Sequence, residues 1–192
     1  MSSLGVTGTV QAAGSASSST RAPSSDHRAD PGFGPAERKA AISTAKNRAG
    51  ATARSLRLGV KQQLIVRNVS RDVDGVEHVH YARTYDGLPV IGGDLIVHET
   101  PAGRVRTVDW ASRSPIRIAS TTPTVSADRA RGSHDRTVVF AAHHAPVLAW
   151  ESTVTGTAED GTPIRDLVYT DARTGRQLAV HPTIQNDTGT GS

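Results

Sequence analysis

The chain has 192 residues, enough for one ordinary domain or two small ones with tails, and its hydrophobic fraction of 36% lies below the roughly 45–50% of globular chains, so part of it does not form core. It has no cysteine, which excludes disulfides and thiolate metal sites, and no apolar run approaches the ~18–20 residues of a membrane span. A net charge of +4 with a pI of about 10.0 is ordinary for a soluble protein, and two Trp, three Tyr and two Phe supply little surface for stacking nucleic-acid bases, so neither nucleic acid nor membrane is expected as a partner.

Residues 1–34 are rich in Ser, Ala and Gly and lack hydrophobic periodicity. They cannot bury enough apolar area to offset chain entropy and are expected to form a disordered tail. Residues 1–13 lack the basic start and continuous apolar run of a complete signal peptide; the stretch 4–13 suits either the end of a truncated one or a flexible N-terminus.

From Pro35 to Gly59 the pattern predicts a helix. Pro35 suits a first turn, Glu37 sits near the positive end of the helix dipole, and Gly59 suits a C-terminal cap. Ile42, Ala45, Ala49, Ala53 and Leu56 form a narrow apolar stripe, with Arg38, Lys39, Lys46, Arg48, Arg54 and Arg57 around it. Such a basic helix could meet an anionic surface, but a solvated face is the ordinary meaning. Residues 64–69 read as a strand and 72–75 as a turn.

Signal is densest over 78–110, which reads as three strands joined by two turns. Residues 78–85 alternate, with Val79, Tyr81, Arg83 and Tyr85 on one face and His78, His80, Ala82 and Thr84 on the other. Asp86-Gly87 is a turn dipeptide. Pro89 cannot donate to a ladder and belongs at a strand entry or an edge. Gly92-Gly93 predicts a bulge or a close backbone approach. The apolar run 95–97, a loop at 100–103 and alternation over 105–110 follow. A helix followed by an antiparallel meander makes residues 35–111 an α+β unit.

Residues 112–124, rich in Ser, Thr and Pro, read as a linker. A second small unit over 125–181 starts a helix at 125–130 that Arg131-Gly132 ends early, then predicts strands at 137–142, 147–156, 164–170 and 177–180, with turns at 159–161 and 171–176. A sheet whose covering helix is truncated leaves an apolar face open. Residues 182–192 read as a flexible tail.

Little catalytic chemistry is present. A zinc protease needs His-Glu-x-x-His on a helix, so that two imidazoles share a face and the Glu acts as base. The closest string, His98-Glu99-Thr100-Pro101-Ala102, lacks the second His, and Pro101 stops a helix. His78 and His80 share a strand face and could share a metal, but no third ligand is suitably spaced; surface or packing histidines are the plainer reading. His143 and His144 would point opposite ways. Gly189-x-Gly191 has no following helix to cradle phosphate. Gly-x-Ser-x-Gly does not occur. Tyr81, Arg83 and Tyr85 suit either a gripping surface or internal packing, with Arg83 paired to Asp94 or Asp109.

The string HVHYARTYDGLPVIGGDLIVH at 78–98 resembles the core motif of the fungalysin/thermolysin propeptide (FTP) domain, matching at His78, His80, Tyr81, Arg83, Thr84, Tyr85, Gly87, Leu88, Pro89, Val90, Gly92, Gly93, Leu95, Val97 and His98. Residues 148–150, 161–163 and 169–175 resemble the PepSY-type domain that follows it in thermolysin-like proenzymes, though the full helix of that family is missing here. The resemblance implies a cystatin-like FTP unit, with a helix laid across a curled antiparallel sheet. It also implies the propeptide of a secreted thermolysin-like zinc metalloprotease, a zymogen part that assists folding of the catalytic domain and inhibits it. That domain would be the partner and hold the zinc; no cofactor and no catalysis are expected of this chain. The implied contact residues are His78, His80, Tyr81, Arg83, Tyr85, Gly87, Pro89, Gly92 and Gly93. The implied inhibitory arm and processing region comprises His181, Ile184, Asp187, Thr188 and Gly189, with the chain expected to stop where the catalytic domain would begin. A secreted inhibitor acting in trans and a remnant reading frame are the alternatives.

Overall fold

The computed structural model describes residues 28–127, 133–142 and 145–183. It is an α+β structure in which one long helix, α1 (Pro35–Ser55), lies on a largely antiparallel sheet. The buried face of α1 is Ala41, Ala45, Ala49, Thr52 and Ala53, with Ile42 and Leu56 half-buried beside it. Four small alanines let the helix backbone lie close to the strands. The helix ends four residues before the predicted glycine, and Arg57 rather than Gly59 takes the left-handed turn (φ 56°): its N–H bonds Arg54 O at 2.9 Å, and Leu58 N–H bonds Ala53 O at 3.0 Å. This is a Schellman closure with Leu58 tucked against the core.

The strands are β1 (Gln62–Arg71), β2 (Glu77–Tyr85), β3 (Leu88–Ile91), β4 (Leu95–Glu99), β5 (Val105–Trp110), β6 (Ser133–Phe140), β7 (Val147–Thr157), β8 (Pro163–Asp171) and β9 (Gln177–Pro182). They form one nine-stranded sheet in the order β5-β4-β2-β3-β6-β7-β8-β9, with β1 on the remaining side of β2. Residues 78–110 thus hold four strands where the sequence predicts three. On that side β2 is shared: β4 pairs with residues 77–81, and β3 with Thr84 and Tyr85. Every pairing is antiparallel except β3 with β6, where Val90 faces Val139 and Ile91 faces Phe140. That short parallel joint, extended by Ala141 N–H to Ile91 O at 2.9 Å, makes the two expected units halves of one sheet.

One face of the sheet is covered from α1 to the strap, while Val180 at the β9 edge of that face is exposed. Over the first half, α1 packs on Leu64, Val66, Val69, Val79, Tyr81, Leu95 and Val97. Past the joint, Ile116 is buried with Tyr85, Val90, Val139 and Ala141, and Ile118 packs beside them. The segment expected as a linker is therefore a strap. Its end is tied by Thr124 and Val125 N–H to Ala172 O, each at 2.9 Å, and by Trp150 Nε1–H to Val125 O at 2.8 Å. Its Ser, Thr and Pro residues look like linker composition because the hydrophobic anchors are few and widely spaced.

Two other expectations change. Residues 28–34 are not loose: Asp30 N–H bonds Arg71 O at 2.9 Å, Ala29 bridges Asp72, and Phe33 is buried under the guanidiniums of Arg38 and Arg71. One aromatic ring is enough to anchor a segment whose average composition is polar. At the other end Pro182 belongs to β9, so the last strand outruns its prediction by two residues. Residues 128–130, the second half of the truncated helix expected at 125–130, lie outside the described residues, as do His143 and His144 and the tail beyond 183. No helix among the described residues is long and apolar enough to cross a membrane.

Candidate functional site

The site grows from β2. Alternation sends Val79, Tyr81, Arg83 and Tyr85 toward α1 and the strap, and His78, His80, Ala82 and Thr84 to the opposite face. Arg83 is 3% exposed. One guanidinium nitrogen donates to Gln62 Oε1, another to Ser112 O at 3.4 Å, and the group lies 5.7 Å from the centre of the Trp110 ring. Burial pushes its pKa down from the usual arginine range, and the group remains a cation held by neutral acceptors and a π face. The expected ion pair to Asp94 or Asp109 is not made, because both the register and the strand face direct Asp109 to His98 instead. Arg83 joins the start of β1, β2, the end of β5 and the strap.

Tyr81 is enclosed between the sheet and α1, where burial, the largest cause, raises its pKa. Glu99, also inward, has its pKa raised by burial, with Arg48 on α1 at 3.8 Å opposing that shift. Tyr85 sits where the two halves meet and carries Lys61 5.6 Å above its ring. Lys61 donates to Asp86 at 2.7 Å, a bond that raises the lysine pKa.

The turn after β2 has φ 48° at Asp86 and 81° at Gly87, the left-handed pair of a tight hairpin. Pro89 pairs opposite Thr84 at the start of β3. Of the two structural readings of the glycine pair, close approach is the one found at Gly92. Its φ is 73°, and a Cβ there would lie 2.5 Å from Ala142 Cα, so only glycine admits the chain leaving β6. Gly93 turns back on Val90, its N–H reaching Val90 O at 3.3 Å.

The opposite face of β2 is open. Ile65, Ala82, Ile91 and Ile96 with Arg67, His80, Asp109 and Arg136 line a groove of about 650 Å³ that crosses the joint. Beside it is an arrangement that residue spacing alone did not bring out. His78 faces His98, its cross-strand partner on β4, rather than sharing a centre with His80. Their Nδ1 atoms are 2.6 Å apart; His78 Nε2 lies 2.8 Å from Asp72 and His98 Nε2 2.9 Å from Asp109. The signal in the sequence is His78 and His98 on strands of matching alternation, legible once β2–β4 register is known. Among the described residues no group of three or more His, Cys, Asp or Glu is placed to hold a metal ion.

In the second half, Arg136 Nε donates to Glu151 Oε1 at 2.6 Å and the Tyr169 hydroxyl to Glu151 Oε2 at 3.1 Å. Burial, with the Glu151 charge adding to it, pushes Tyr169 up to about 12. His181 on β9 is exposed and stacks edge-on to the Tyr169 ring at 5.2 Å. Ile184, Asp187, Thr188 and Gly189 lie outside the described residues. The structure therefore places Tyr81, Arg83 and Tyr85 inside, leaves His80, Pro89 and Gly87 nearer the surface, and sets His181 far along the sheet from all of them.

Comparison with known proteins agrees with the motif. The transglutaminase-activating metalloprotease of Streptomyces mobaraensis is 40% identical over 212 aligned residues, which take in 98% of this chain and 28% of that protein. The chain thus spans less than a third of the length of this curated relative. Among solved structures, the Bacillus megaterium YpeB C-terminal domain is similar with a TM-score of 0.36 and 16% identity, over 76% of this chain and 66% of that one. A family model described as Fungalysin/Thermolysin Propeptide Motif matches residues 62–109, from the start of β1 into β5.

Proposed function

We propose that this chain serves as the propeptide region of a secreted thermolysin-like zinc metalloprotease, guiding the folding of the catalytic domain and restraining it until processing. The observation that carries this reading is the propeptide motif at 62–109 inside a chain that aligns nearly end to end with part of a metalloprotease. The architecture supports it. Tyr81 packs beneath α1, Arg83 ties β1 and β2 to the strap, and the open face opposite α1 offers a surface rather than a reactive centre. A template of this kind stabilises a partner by presenting complementary shape and charge, with little ordering cost of its own. The catalytic zinc belongs to the partner. Residues 125–181 act as the PepSY-like extension of the template, and the stretch from His181 onward is the arm that reaches the partner's cleft.

The test uses the full chain with the catalytic domain of the Streptomyces relative, denatured and then refolded by dilution. Added chain is expected to raise the recovered proteolytic activity after its own removal by proteolysis, and to inhibit the native catalytic domain at micromolar concentration. No gain on refolding removes the chaperone role; no inhibition removes the restraining one.

A further inference from the structure

We propose that the pocket between the end of α1 and the strap binds a carboxylate carried on an apolar group, held by Arg57, Arg83, Arg113 and Arg117. The pocket has a volume of about 440 Å³. It is built from the closure of α1, Gln62 at the start of β1, Arg83 with Trp110, and strap residues 113–117. Four arginines line it, and no Asp or Glu does. Among the described residues none of these four arginines makes an ion pair; the arginines that do are Arg48, Arg71 and Arg136.

Arg83 creates the demand for an anion. Its side chain is enclosed, yet its acceptors are neutral: Gln62 Oε1 and Ser112 O, with the Trp110 ring alongside. A guanidinium has five N–H donors. Here the buried Nε–H has no acceptor among the described residues. Burial alone lowers the Arg83 pKa, with no neighbouring carboxylate set against it. A buried cation without a counter-ion is costly, and the usual remedy is a paired, hydrogen-bonded anion. The strap brings the opposite, two further exposed cations at Arg113 and Arg117.

Arg57 points the same way. It takes a left-handed φ of 56°, where glycine is the usual residue, although Gly59 stands only two positions on. Strain held at a residue whose charged side chain lines a cavity suggests a use for that side chain. The helix end itself offers an anion little repulsion, since Thr52 O, Ala53 O and Arg54 O already accept from Leu56, Leu58 and Arg57 N–H.

The lining also sets the kind of anion. Arginine forks match the planar carboxylate edge, which accepts two parallel N–H bonds. Leu56, Leu58 and Pro115 line the same pocket. An inorganic anion would leave them facing water, whereas a carboxylate on an aliphatic body would cover them. Two sources share this chemistry: the C-terminus of a peptide ending in an apolar residue, and an acidic side chain flanked by apolar ones.

A nitrogen-15 NMR titration of the full chain at fixed ionic strength tests this. The probes are N-acetyl-leucine, with a terminal carboxylate; N-acetyl-Leu-Glu-Leu amide, whose only carboxylate is a side chain; and sulfate. At least one carboxylate probe is expected to shift the Arg83 Nε–H and Trp110 indole N–H signals, with half-saturation at millimolar concentration or below. The tighter of the two identifies the source. Sulfate should bind at least about tenfold more weakly, for want of an apolar body. Arg113→Gln combined with Arg117→Gln should weaken the tighter probe at least about fivefold. Lys39→Gln combined with Lys46→Gln removes the same charge from earlier turns of α1 and should leave binding unchanged. All four side chains are exposed, so neither variant disturbs the core. No shift with either carboxylate probe, sulfate binding as tightly, or equal weakening in the two double variants overturns the proposal.

Discussion

The two halves of the sheet solve the same problem by different means. Each must cover one apolar face. The first half does so with 21 residues of helix, whose backbone groups are satisfied internally and whose alanines meet the strands over a broad stripe. The second does so with a strap that has no repeating structure, anchored by Ile116 and Ile118 and closed by three hydrogen bonds at Thr124, Val125 and Trp150. A helix brings many weak contacts and carries its own hydrogen bonds. A strap brings few contacts and must borrow partners from the sheet, here from Ala172 and Trp150. Losses in the first half should therefore be spread over many residues, and losses in the second concentrated on a few.

The severest way to break the comparison is at the joint. Gly92→Val combines a left-handed φ with a side chain aimed at Ala142 and should cost about 3 kcal/mol or more. Chemical denaturation should then show two transitions in place of one, since among the described residues β3 with β6 is the strand pairing that joins the halves. A single unshifted transition would mean the joint is dispensable. Next, Leu95→Ala removes a nearly inaccessible side chain from beneath α1 and should cost roughly 3 kcal/mol, measured as a fall in denaturation midpoint with an unchanged slope. Ile116→Ala in the strap should cost about 2 kcal/mol, and its effect on exchange should centre on Thr124, Val125 and the Trp150 indole N–H rather than on α1. Uniform loss of protection across both halves would show that the strap is no separate cover.

The smallest effect has the opposite sign. Burial raises the pKa of Glu99 in the fold above its unfolded value. Its contribution is therefore fully favourable below the unfolded pKa and is lost as pH rises through the raised folded value. Glu99→Gln should flatten that part of the stability–pH curve and raise stability at neutral pH by under about 1 kcal/mol, because the amide still needs partners in the same place. A lower thermal midpoint for the variant at neutral pH would show that the ion pair with Arg48 outweighs the burial.

Legibility in the sequence follows the range of the interactions. Alternation exposes β2, β5, β7 and β8, because a strand with one covered face repeats every two residues whatever lies beside it. The stripe of α1 is legible for the same local reason, and Asp86-Gly87 fixes its own turn. The β3–β6 pairing is not, since Leu88-Pro89-Val90-Ile91 is too short for a periodicity and its partner is far off in the chain. The strap hides because Ile116 and Ile118 stand among polar residues, and Phe33 hides likewise in a segment of tail-like composition. At the site, the faces of Tyr81 and His78 follow from parity. The Gln62 and Ser112 contacts of Arg83 and the meeting of His78 with His98 depend on register and curvature, which alternation alone does not set.

The parallel joint also imposes an order on the birth of the molecule. Val90 and its partner Val139 are 49 positions apart, and ribosomes add roughly 5–20 residues each second. For some seconds β3 emerges with one edge of its backbone and the side chains of Val90 and Ile91 lacking their mates. In that interval the first half is an incomplete surface seeking a strand, open to a neighbouring nascent copy as much as to its own continuation. The later half is what ends that exposure, so a truncation before β6 should yield a sticky species rather than a small, well-behaved domain.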